Sequence, residues 1–475
     1  MRTVTMYAIL AVFALLATAA FAQPAITIFA HNRTNESNVL VELSLAAQND
    51  GEGMPVTVFI GIQTADGEVY TAQADGWSES FEPWIPEIYM PGGFSMDRTP
   101  FWSFNLPCDI PPIDSEGTYC FVAALAHSGT NYDWVSVSYA PLGLEDSTES
   151  DYYVDGEAGD DANDGSIDSP WRTITHALDS VDGSETNPVR IHVAEGIYAA
   201  STNGETFPLE MNNWTSLVGA GPALTTLDAE GIPNQVVGFA YVEGAAVEGF
   251  TMTGIEDSGD KWPKYYGGGV LCIESSPIIS NNKIVGNAAR HGAGIYLHRS
   301  SPTIIGNEIA GNTSSENGGG IYCFDSLPFI TNNLIYDNTA LNRGGGIYCL
   351  SSSSPRVWNN TIACNSADRA GGVWASPSSY PKVMDSIVWG NGDDLLGCAA
   401  TYSCIEDSDR GEGNIHADPM FVEGPLGDYY LDPSSPCIDA GSRSSDEAGL
   451  SDRTTQFDGT PDTGTVDMGY HYPLQ

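Results

Sequence analysis

Five prolines, Pro277, Pro302, Pro328, Pro355 and Pro381, recur at spacings of 25, 26, 27 and 26 residues and carry a fixed pattern with them. Five residues after them stand Asn282, Asn307, Asn333, Asn360 and then Ser386. Seven after come Ile284, Ile309, Ile335, Ile362 and Val388, and ten after come Asn287, Asn312, Asn338, Asn365 and Asn391. A glycine cluster ends at Gly269, Gly294, Gly320, Gly346 and Gly372, and the next residue is always Val or Ile. A period near 26 built from short β-branched pieces, glycine and asparagine has no 3.6-residue stripe and few helix formers, so the repeat is not helical. Propeller blades need about 40 residues and four strands. The pattern predicts instead a coil of three short strands per turn, with turns stacked at about 4.8 Å. Equivalent residues then lie directly above one another. Columns of Ile and Val form the core, and columns of Asn hydrogen-bond from turn to turn and tolerate the left-handed backbone expected there.

The fold class expected is all-β: a right-handed parallel β-helix over residues 151–400, preceded by a β-sandwich over 23–145 and followed by a closing segment over 401–475. The sandwich expectation comes from period-two alternation such as Val39-Leu40-Val41-Glu42-Leu43 and Val56-Thr57-Val58-Phe59-Ile60, with turn residues between. Residues 1–22 read as a signal peptide: Arg2, an apolar run from Ile9 to Leu16 too short to span a bilayer, and Ala20-Phe21-Ala22 as a cleavage site. No later segment reads as a membrane span, so the expected location is extracellular or at the cell surface. Ser169-Pro170-Trp171 predicts a short helix capped by Asp168 or Ser169, plugging the open end of the coil. Cysteine spacing in an oxidising compartment suggests disulfides, with Cys108–Cys120 and Cys398–Cys404 as local pairs and Cys323–Cys349 within reach across turns.

The net charge of −45 comes from 62 acidic against 17 basic residues. Such a surface repels polyanions, so nucleic acid is not an expected partner.

Several segments resemble a known family. Tyr152-Tyr153-Val154-Asp155 through Pro170-Trp171-Arg172-Thr173-Ile174 is similar to the N-terminal cap of secreted bacterial right-handed parallel β-helix proteins. The Gly-Gly-Gly-Ile-Tyr repeats resemble pectate-lyase-like and polymorphic-outer-membrane-type repeats. Asp418-Pro419-Met420-Phe421-Val422, Ser435-Pro436-Cys437-Ile438-Asp439-Ala440-Gly441 and Asp467-Met468-Gly469-Tyr470-His471-Tyr472 are similar to the closing segment of such surface proteins. The resemblance specifies the fold more than an activity, because these families hold lyases, hydrolases and adhesins.

Two features suggest carbohydrate chemistry. Two residues after the last glycine of each cluster stand Leu271, Tyr296, Tyr322, Tyr348 and Trp374. They follow an inward residue and therefore face outward, so the four rings are expected either as an aromatic ribbon for sugar rings or as a surface under a flanking segment. The loop before the first glycine cluster is extended from Glu256 to Tyr266 and holds Lys261, Trp262, Lys264, Tyr265 and Tyr266, with Arg290 and His291 in the matching loop one turn on. Insertions in single repeats are where solenoids place function. A polysaccharide lyase would need a proton acceptor, for which Lys264, Arg290 and His291 are candidates, and a cation such as calcium, for which Glu256, Asp257 and Asp260 are candidates. The expected function is engagement of an extracellular polysaccharide, with Trp262, Tyr265, Tyr266 and the aromatic column as contacts. The alternatives are a lyase acting on an acidic glycan and a non-enzymatic envelope or adhesin protein.

Overall fold

The computed structural model describes residues 150–474 apart from 233, 257–265 and 409–410; before residue 150 it describes only the backbone of nine strands between Ala25 and Leu142. Those nine strands form two antiparallel sheets, one of three strands and one of six. The expected sandwich depends on how their inner faces pack, which lies outside the described residues. So do residues 1–22 and Cys108. The chain divides into two compact units, 1–147 and 148–475.

The second unit is a parallel β-helix. Three sheets of ten, nine and eight strands run its length, and every neighbouring pair within them is parallel. Register follows the sequence period: Ile295 pairs with Ile321, Ile321 with Ile347, and Ile347 with Val373. These residues are fully buried in one continuous core with Ile284, Ile309, Ile335, Ile362 and the inward thiols Cys272, Cys323 and Cys349. Stacking makes each residue's neighbours copies of itself, so one apolar choice satisfies a whole column.

Two asparagine ladders close the corners on either side of the second sheet. Asn333 Nδ2 donates to Ile304 O at 2.8 Å and to Asn360 Oδ1 at 3.0 Å, while its Oδ1 accepts from Asn307 N at 2.9 Å. Asn338 does the same between Asn312 and Asn365. Asp394 ends that second ladder, its Oδ1 accepting from Asn391 Nδ2 at 2.9 Å. The left-handed residue is not the ladder Asn, as expected, but the one before it. Asn281, Gly306, Asn332, Asn359 and Asp385 have φ between 49° and 68°. The bend falls there, and it frees the next side chain to point along the ladder.

The N-terminal cap is built as expected, with a shifted helix. Its helix runs over Ile174–Ser180 with Thr173 as N-cap, because Trp171 is held in an extended bridge to Val154 and buried in the core. Ile174, Ala177 and Leu178 cover the first rung. The Asp155–Asp164 turn is structural: Asp155 Oδ1 accepts from the amides of Glu157 and Ala158 at 2.9 and 2.8 Å, and Asp161 accepts from Arg172 and Thr173.

The closing segment adds a last strand, Cys404–Ile405, to the nine-stranded sheet and then turns back along the solenoid. His471 exchanges two hydrogen bonds with Asn332, Ser442 donates to Asp385, and Arg443 lies over the Trp358 ring and bonds Asn359. The expected disulfides are not formed among the described residues: none of their seven cysteines is in a disulfide. Cys398 and Cys404 are directed apart: Cys398 Sγ donates to Val373 O, and Cys404 Sγ donates to Ala417 O beside the thiol of Cys437. No described helix is long and apolar enough to cross a membrane.

Candidate functional site

The aromatic column faces outward, opposite Ile295, Ile321 and Ile347, as the alternation requires. It is nevertheless covered. Tyr296, Tyr322 and Tyr348 are only 7, 5 and 3 % exposed. Their rings stack face to face along the helix axis, with centroids 4.9 Å apart for Tyr296–Tyr322, 4.8 Å for Tyr322–Tyr348 and 4.6 Å for Tyr348–Trp374. The rung spacing matches the thickness of an aromatic ring, so each ring occupies the face its neighbour would offer a sugar. An open ribbon is therefore corrected to a closed ladder.

The sides of the ladder are flanked by an element that the alternation did not reveal. Ala288–His291, Thr313–Asn317, Thr339–Arg343 and Ser366–Arg369 form a fourth parallel sheet from the loops before the glycine clusters. Glycine permits this: Gly318 has φ +68°, and a Cβ there would sit 2.8 Å from the Tyr322 Cβ. His291 lies against the Tyr266 and Tyr322 rings, and Arg343 lies over Trp374 at 5.1 Å.

The expected catalytic groups separate on inspection. Arg290 is tied to Glu316, with Nη2 at 2.6 Å and Nε at 2.8 Å from the same carboxylate oxygen. His291 is buried, with its Nε2 3.3 Å from Glu316, and burial pushes its pKa down to about 4; Glu316 opposes that shift and Arg290 adds to it. Tyr266 forms a bridge to His291, so the end of the insertion does lie beside that residue. Glu256 is an exposed carboxylate near Gly231. Asp257, Asp260, Lys261, Trp262, Lys264 and Tyr265 lie outside the described residues. The calcium expectation therefore has one described ligand.

What remains open is the N-terminal end of the ladder. Upstream of Tyr296 the same outward column continues through Leu271 and Gly238 to Glu210. Gly238 gives the column no side chain, and the Glu210 carboxyl and Gln235 amide take the space beside it: a Cβ there would meet Glu210 Oε2 at 2.4 Å and Gln235 Nε2 at 2.9 Å. Gly238 lines a cavity of about 340 Å³ together with Glu210, Gln235, Leu271, Tyr266, Tyr296 and His298, among others. Glu210 accepts from Gln235 Nε2 at 3.0 Å. Partial burial raises the Glu210 pKa against the lowering by that bond, although the residue still reaches solvent. His298 presents a ring stacked on Phe324 at 5.2 Å. The insertion re-enters the described chain at Tyr266, on this wall. The pocket thus combines aromatic and aliphatic walls with a carboxyl, an amide, phenols and an imidazole.

Residues 268–409 match the family model of the right handed beta helix region. Residues 157–223, the cap and first rungs, match a second model described as protein of unknown function (DUF1565). The beta helix region thus holds the tyrosine ladder, while Glu210 and Gly238 lie ahead of it. No curated protein matches the chain. Among solved structures, the native GH136 lacto-N-biosidase from Eubacterium ramulus is similar at 12 % identity and TM-score 0.28, over 54 % of this chain and 56 % of that one. The match therefore spans little more than half of that enzyme. Pectate lyase Pel3 from Pectobacterium carotovorum is similar at 10 % identity and TM-score 0.22, over 67 % of this chain and 86 % of that one. These overlaps are too loose to place any residue of one protein on another.

Proposed function

We propose that this chain is an exported carbohydrate-binding β-helix protein that takes the end of a neutral glycan into the pocket between Glu210 and Tyr296. The observation that carries the reading is the end of the aromatic ladder at Tyr296, beyond which Leu271, Gly238 and Glu210 of the same column line a mixed apolar and polar cavity. At about 340 Å³ it lies at the small end of ligand pockets, suiting a short oligosaccharide terminus rather than a long chain. Leu271 and Tyr266 supply surfaces for the CH groups of a sugar ring, and Glu210, Gln235 and His298 supply hydroxyl partners. A carboxyl in the wall and a net charge of −45 disfavour an acidic glycan. Two of the three proton acceptors expected for a lyase are unsuited, because Arg290 is engaged with Glu316 and His291 is buried under Tyr266; the third, Lys264, lies outside the described residues.

A panel of neutral and acidic oligosaccharides tests the proposal, with wild type compared with Gly238→Ala and Glu210→Gln. Binding of a neutral glycan should fall at least about tenfold in Gly238→Ala, where the new methyl displaces Glu210 and Gln235, and should change little with salt. Binding confined to acidic glycans and lost in salt would overturn the reading. Release of product from a bound glycan would instead make the pocket an active site.

A further inference from the structure

The closing motif Asp467-Met468-Gly469-Tyr470-His471 is unused by the pocket, and it holds the most heavily buried group of ionisable side chains in the second unit's tail. Asp462, Asp467 and His471 are 2, 2 and 0 % exposed, and one ligand-capable atom from each lies within 4.8 Å of the others. His471 Nδ1 lies 3.0 Å from Gly469 O, so that nitrogen carries a proton and donates it. His471 Nε2 lies 2.8 Å from Asp462 Oδ2, which also accepts from Asp467 N at 3.0 Å. Asp467 Oδ1 accepts from Asp439 N at 2.7 Å and its Oδ2 from Thr455 Oγ1 at 2.5 Å. Among the described residues, Asp462 Oδ1 has no hydrogen-bond partner, although it is buried.

That oxygen matters because a buried carboxylate oxygen with no partner is costly in a dry site. Asp462 Oδ2 already has two partners, His471 Nε2 and Asp467 N, whereas Oδ1 has none among the described residues. A divalent cation held between Asp462 and His471 Nε2 would give Oδ1 a partner.

We infer that Asp462, Asp467 and His471 form a structural site for a divalent transition cation that fastens the closing segment to the solenoid. The His471 Nδ1–H···O=C bond is the arrangement that fixes the tautomer of a metal-ligating imidazole, leaving Nε2 free to coordinate. Two carboxylates with one imidazole and no thiolate favour Zn²⁺ or Mn²⁺ over softer ions and over an all-oxygen Ca²⁺ site. The backbone of His471 holds Asn332 on both sides, so the ion and the solenoid grip the same residue.

The test uses the full chain. Stripped protein is equilibrated with Zn²⁺ or Mn²⁺, passed through gel filtration in metal-free buffer, and assayed for metal by elemental mass spectrometry and for melting temperature with and without chelator. The expected result is close to one equivalent of one of these ions per chain and a melting temperature lowered by chelator. Affinity should be at least about 100-fold weaker in Asp462→Asn, with the circular dichroism of the β-helix retained. Substoichiometric metal in wild type, or equal uptake by Asp462→Asn, would overturn the inference. If the variant does not fold, wild-type stoichiometry and the chelator response still decide.

Discussion

Replacing Asn333 by alanine tests the ladder that holds adjacent turns in register. The side chain of Asn333 meets five partners: the two Nδ2 hydrogens are shared among Ile304 O, Thr331 O and Asn360 Oδ1, and Oδ1 accepts from Asn307 N and Nδ2. Asn307 Nδ2 keeps Ile279 O and Ile305 O, and Asn360 Oδ1 keeps Asn333 N. Asn307 N has no second acceptor among the bonds described, and Thr331 O loses its amide donor. Each buried polar group left unsatisfied costs about 1–3 kcal/mol, so Asn333→Ala should destabilise by about 2–5 kcal/mol. Asn333→Asp should cost more, because an acceptor would replace the amide donor that faces two carbonyls and Asn360 Oδ1, and any charge would be buried. Urea unfolding by far-UV circular dichroism gives the order, and hydrogen exchange at the Asn307 amide gives the local effect. An Asn333→Ala midpoint equal to wild type, with the Asn307 amide still protected, would refute the reasoning. So would an aspartate variant more stable than the alanine one.

Three further outcomes follow from the same geometry. Ile321→Asp, at a fully buried column position, should cost several kcal/mol; a thermal melt at the wild-type temperature would contradict the core assignment. Gly318→Ala should be clearly more destabilising than Gly311→Ala, since both have positive φ but only Gly318 would bring a Cβ to 2.8 Å from Tyr322; equal melting temperatures would remove the close approach from the account. His291 titrates at about 4 in the folded chain and near its ordinary 6.5 when unfolded, so the unfolded chain takes up the proton first as pH falls. The His291 contribution should therefore decline from pH 6.5 to 4 and then level, by about 3 kcal/mol, and His291→Phe should lack that difference in denaturation curves across the range.

The solenoid was legible because stacking turns one residue choice into a column. Pro277 through Pro381 set the period, and period alone fixes which Ile faces inward. The tyrosines were placed on the correct face but left open in one reading, because the strands that flank them are polar. Thr313-Ser314-Ser315-Glu316-Asn317 has no apolar alternation to mark it as a strand. The left-handed corner was misplaced by one residue, since both Asn332 and Asn333 suit such a backbone and only the ladder bonds distinguish them. Ser169 and Pro170 carried a sound helix-start signal that lost to the bridge and burial of Trp171. The pocket was out of reach because Glu210 and Gly238 lie before the regular repeat, where spacing does not give register. Their alignment with Tyr296 comes only through Leu271 in the paired strands. The closing motif was visible as a motif, but the meeting of Asp462 with His471 is a tertiary contact that spacing does not encode.

The central claim is that the sugar-facing surface is the pocket lined by Gly238, not the tyrosine column beyond it. A crystal structure of the full chain with the neutral oligosaccharide selected from the panel tests this most directly. The account predicts a terminal sugar ring against Leu271 and Tyr266, with hydroxyls bonded to Glu210 and Gln235 and the Tyr296–Tyr322 stack unbroken. A glycan seated along Tyr322, Tyr348 and Trp374, or anywhere away from Gly238, would contradict it.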